Sequence, residues 1–155
     1  SFSRIGAAAR RLFRFFHYLC GKMETEGGFR VEVSSAFPGW WRYNVALMCG
    51  CYDAAGERIG FASAEDRIAE VGACMGQPPA DYPAERRTVL RTMPCHRIEL
   101  YLYVVPHTLP DGCEIADTRP FELRLRITRD GATLFSQKCP VNQWSGISRV
   151  LTVTA

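Results

Sequence analysis

Several absences narrow the field first. No apolar run approaches the roughly 20 residues that cross a bilayer as a helix. The chain has no phosphate-binding glycine loop, no GxSxG elbow, no HExxH pair and no CxxC pair. There is no DxD or DxDxDG run of the kind that gathers carboxylates on calcium. Histidine is scarce, three in 155 residues, which leaves little for His-driven catalysis. No internal repeat or low-complexity segment appears.

Charge is also missing from one place. Residues 1–22 hold five of the 19 basic side chains (Arg4, Arg10, Arg11, Arg14, Lys22) and none of the 16 acidic ones. The remainder is therefore slightly acidic overall, which argues against a nucleic-acid-binding sheet. Composition is otherwise that of a globule, 47% hydrophobic and 23% charged, of a length that builds one proper core.

What is present reads mostly as β-structure. Ile98, Leu100, Leu102 and Val104 alternate along residues 96–105, and Phe121, Leu123, Leu125 and Ile127 along 121–128. A period of two means a pleated strand with one buried face. Arg129-Asp130-Gly131 then predicts a turn, with 132–138 as the return arm of a hairpin. Similar patterns occur at Phe29–Val33, Arg42–Tyr52, Arg58–Ala62, Arg86–Met93 and the closing run from Trp144. Cys139-Pro140 reads as a break, and the closing run as an edge or swapped strand. Ser63-Ala64-Glu65-Asp66 fits a capping box opening a short helix through Val71, followed by an irregular loop rich in Gly and Pro.

The expected fold is mainly β: an antiparallel two-sheet β-sandwich, jelly-roll or C2-like in outline, preceded by one N-terminal amphipathic α-helix. Residues 1–26 form the helix and its joint, and 27–155 the sandwich. At about 100° per residue, Ile5, Ala9, Leu12, Phe16, Leu19 and Cys20 of the 3–23 segment share one side. The arginines share the other, with Phe13 and Phe15 on the flanks. Three readings compete: the helix packs on its own domain, docks on another subunit, or lies on an anionic membrane surface.

Candidate chemistry is thin. Cys49 and Cys51 share a strand face and look like small core residues. A metal site would need His96 or His107 brought to them. Cys95 and His96 are adjacent on a strand, so they point apart and cannot form a nucleophilic dyad; His107 with Cys113 has no further support. Asp111, Glu114 and Asp117 share a loop, but Asp-Gly in turns answers a backbone need. No catalytic residue, metal or cofactor is assigned. Seven cysteines, odd and scattered, are a poor disulfide framework and favour reduced thiols and a cytoplasmic setting over export.

Two surfaces remain as candidates. Arg4, Arg10, Arg11, Arg14, Phe13 and Phe15 would contact a protein partner or a second copy. Trp40, Trp41 and Tyr43 would stack on a carbohydrate or small ligand or anchor a protein interface if their rings are exposed, or fill the core if not. The sequence favours a non-catalytic interaction or assembly module over the ligand-binding alternative.

Overall fold

A computed structural model describes residues 26–108 and 120–155. Eight strands follow one another: β1 (Gly28–Ser34), β2 (Tyr43–Tyr52), β3 (Arg58–Asp66), β4 (Arg87–Pro94), β5 (Arg97–Pro106), β6 (Phe121–Arg129), β7 (Ala132–Val141) and β8 (Ile147–Thr154). They form two four-stranded antiparallel sheets, ordered β4-β1-β6-β7 and β3-β2-β5-β8. The expected N-terminal helix, with Arg4, Arg10, Arg11, Arg14, Phe13 and Phe15, lies outside the described residues, as do Cys113, Asp111, Glu114 and Asp117.

The alternating positions meet as the pattern requires. Ile98, Leu100, Leu102 and Val104 of β5 face Phe121, Leu123, Leu125 and Ile127 of β6 within one core, and β1 and β2 complete it with Phe29, Val31, Val33, Val45 and Leu47. Burial of these side chains on both inner faces supplies the driving force for closing the two layers. The β6–β7 hairpin turns on Asp130 (φ 49°) and Gly131 (φ 79°), two consecutive positive values that suit the right-handed twist of the flanking strands.

Three local expectations are corrected. Ser63–Asp66 does not open a helix: β3 runs through it, paired to Val45–Met48 of β2. Ala62 and Ala64 pack against the core, so pairing and burial override the capping signal. Cys139-Pro140 does not end β7, which runs to Val141 along a sheet edge. Glu122, opposite Pro140, turns its carbonyl the other way, to the Ser35 hydroxyl (2.7 Å), so the proline nitrogen faces the open rim where no ladder bond is lost. Finally, Trp144 belongs to a turn before β8, with Asn142 Oδ1 accepting from the amides of Trp144 and Ser145. β8 itself pairs with β5 of the same chain as an edge strand.

Candidate functional site

Trp40 and Trp41 do not stand on a strand. Phe37-Pro38-Gly39 leads into a single 3-10 turn, Trp40–Arg42, and Tyr43 starts β2. Successive side chains there are rotated by about 120° rather than 180°, so both tryptophans can be covered. Trp40 is 1% exposed, Trp41 6% and Tyr43 2%. Trp40 stacks with Tyr43 and meets Phe121 edge-on, while Trp41 packs beside His107. The exposed rings that a stacked sugar needs are therefore not at these positions; the three aromatics close one end of the core. Tyr43 Oη donates to the Gln143 carbonyl (2.7 Å), tying down the turn before β8, and burial pushes its hydroxyl up to about 12.

Behind these rings lies a buried polar cluster that the sequence reading missed. The Arg86 side chain, 3% exposed, donates from Nη1 to the carbonyls of Trp40 (2.9 Å) and Tyr43 (2.7 Å), and from Nη2 to that of Asp66 (3.0 Å). Its Nε pairs with Asp66 Oδ2 at 2.7 Å, and Thr88 donates to the same oxygen. Four of that guanidinium's five N–H groups are thus spent on protein acceptors. The adjoining cleft of about 460 Å³ is lined by Asp66, Arg67, Asp81, Tyr82, Glu85 and Arg87 among others, with no His, Cys or Ser in its wall. It offers carboxylates, a phenol and guanidinium groups, with its central arginine already engaged.

The two described histidines are set apart. His96 is exposed before β5 and His107 fully buried after it. Ten residues of strand separate them, about 33 Å. His107 Nε2 lies 2.7 Å from the Trp41 carbonyl, which only accepts, so Nε2 carries the proton; Nδ1 then accepts from the Thr108 hydroxyl (2.7 Å). Burial lowers its pKa, opposed by the Trp41 bond and assisted by the Arg86 and Arg42 charges. It is a neutral structural imidazole.

Cys49 and Cys51 are core residues, joined by Cys95 beside the Thr92 hydroxyl (3.8 Å). Burial, with the neighbouring thiols, pushes Cys49 up to about 12 and raises Cys51 as well. Protonated thiols are poor metal ligands and poor nucleophiles. Among the described residues no group of three or more His, Cys, Asp or Glu is arranged to hold a metal ion, and the five described cysteines are free.

The two outer sheet faces differ sharply. On the β4-β1-β6-β7 sheet, Arg30, Arg87, Arg91, Arg124, Arg126 and Lys138 point outward with Glu32 and Glu122 among them. Arg30 and Arg91 sit directly opposite each other. On the β3-β2-β5-β8 sheet the centre of the outward side is more apolar. One cross-strand row reads Ser63, Met48, Tyr101, Val150; the rows beside it read Phe61, Gly50, Glu99, Thr152 and Glu65, Ala46, Tyr103, Ser148. Phe61 is 61% exposed and Val150 58%, with Ile59, Val105 and Val71 also exposed near them. Glu65, Glu99, Arg58, Arg67 and Arg97 bring charge to its margins. Outer faces of antiparallel sandwiches are ordinarily polar, and contiguous apolar surface marks a contact site. This face is the candidate site.

Comparisons with known proteins add little. No protein-family model and no curated protein matches the sequence. Among solved structures the chain is similar to a domain of unknown function, DUF4425, from Bacteroides vulgatus, at 12% identity, over 84% of this chain and 96% of that one, with a TM-score of 0.41.

Proposed function

We propose that the chain is a non-catalytic protein-interaction or assembly module, jelly-roll or C2-like in outline, with the outer face of the β3-β2-β5-β8 sheet as its docking surface. The N-terminal amphipathic helix over residues 3–23 is its second contact element. One observation carries the reading: Phe61 and Val150 stand exposed on a face whose central row, Met48 and Tyr101, is also without charge. Such a surface suits an amphipathic helix, whose apolar stripe lies on it while its polar side stays in water. The sheet face is about 30 Å along the strands by about 15 Å across them, room for one helix of about 10 Å diameter.

The test uses the full chain in cells. A photo-crosslinking phenylalanine analogue replaces Phe61 in one version and Arg126, on the opposite outer face, in the other. Adducts to polypeptide are expected from position 61 well above those from position 126. Equal yields from the two positions would overturn the docking face.

A further inference from the structure

We propose that residues 3–23 of the same chain lie as an amphipathic helix over the outer face of the β3-β2-β5-β8 sheet, so that an outside helix must displace them to bind. The proposal rests on the docking reading and names the first occupant of that face.

The chain leaves the described domain at the right corner. The Gly27 carbonyl accepts from the Cys95 amide (3.1 Å) and from Arg129 Nε (3.2 Å), which pins the start of β1 beside Pro94. The neighbouring Met93 side chain covers Gly60 so closely that a Cβ there would overlap it. The next residue along β3 is Phe61, the most exposed large hydrophobic side chain of the docking face apart from Val71. Residues 24–26 can span about 10 Å when extended. A helix over 3–23 is then about 30 Å long, sufficient to cross the whole face.

Charge selects this face over the other. The 1–22 segment carries five cations and no acid. The outer face of the β4-β1-β6-β7 sheet has six cations against two carboxylates, already with Arg30 facing Arg91, and repels it. The β3-β2-β5-β8 face has Glu65 and Glu99 against Arg58, Arg67 and Arg97, close to balance, so a cationic segment meets far less repulsion there. The stripe of Ile5, Leu12, Phe16 and Leu19 supplies the apolar match to Phe61, Met48, Tyr101 and Val150.

The experiment irradiates the purified full chain carrying the photo-crosslinking analogue at position 61, after mixing ¹⁴N- and ¹⁵N-labelled protein. Expected are adducts between position 61 and peptides of residues 3–23, isotopically pure, and none of that kind from position 126. Leu12→Glu with Phe16→Glu should cut the adduct at least tenfold while the β-sheet circular-dichroism signal persists, because no described core residue is altered. Mixed-isotope adducts would mean a second copy is the occupant and overturn the proposal, as would the absence of any adduct to residues 3–23. If position 61 joins only a foreign polypeptide in cells, this inference falls and the docking face stands; if it joins none anywhere, both fall.

Discussion

The carboxylate of Asp66 and the guanidinium of Arg86 meet at 2.7 Å across the seam between the two sheets. Asp66 ends β3 in one layer, and Arg86 stands immediately before β4 in the other. The 19 residues between them are irregular apart from a bridge of Ala73 to Thr108, so this pair closes a long excursion at its base. The same arginine holds the backbone of Trp40 and Tyr43, which ties the seam to the aromatic end of the core.

Arg86→Ala is therefore expected to destabilise the domain by about 3 kcal/mol, since it leaves a carboxylate and three carbonyls without their donor. Arg87→Ala, one residue on and exposed, should change stability by less than about 0.5 kcal/mol. Urea unfolding of the two variants against the parent chain measures the difference.

His107 makes stability pH-dependent in a defined direction. Its pKa is lowered in the folded state by burial, so the unfolded chain takes up a proton that the folded chain resists. The contribution is complete above about pH 6.5 and is lost progressively as pH falls from there toward the folded value. His107→Gln should cost stability at pH 8 and flatten this part of the profile. Urea midpoints for both proteins between pH 5 and 8 check it; parallel curves would contradict the assignment.

Thiol accessibility gives a third prediction. Cys74 is exposed, whereas Cys49, Cys51, Cys95 and Cys139 are buried. Iodoacetamide at pH 8 followed by peptide mapping should modify Cys74 in the native chain and reach those four only after denaturation. Fast labelling of Cys49 or Cys51 under native conditions would mean that their thiols are neither shielded nor held protonated.

Removal of residues 1–22 is expected to leave a folded β-domain, because the described core cluster lies wholly between Phe29 and Val153. The bared sheet face should then bind a hydrophobic dye several-fold more than the full chain does. Phe61→Asp with Val150→Asp in the shortened protein should reverse that gain. A truncated chain that is unfolded by circular dichroism would show instead that the segment is part of the core.

Much of this fold is legible in short windows. The alternation along β5 and β6 and the Asp130-Gly131 turn need only neighbours in sequence to be read. The Ser63–Asp66 stretch misleads because its capping residues are locally helical, while the partner that makes it a strand, Val45–Met48, lies well upstream. Trp40 and Trp41 mislead because a 3-10 turn changes the angle between adjacent side chains. Arg86 has no local signature at all: in Glu85-Arg86-Arg87 nothing marks which residue turns inward. The apolar centre of the outer β3-β2-β5-β8 face did leave a trace, in that Tyr101 and Tyr103 occupy the alternate positions of β5 where charged residues would ordinarily stand.

Pro140 has an effect beyond its own strand. Its missing N–H falls on the outer rim of β7, so that margin lacks a donor that an incoming strand would seek. β8, the margin of the other sheet, runs Ile147–Thr154 with no proline, and among the described residues nothing pairs along its far side. Of the two edges that meet on this side of the sandwich, strand addition is thus hindered along β7 and open along β8, so a pairing partner that arrives there is steered to one sheet and not the other.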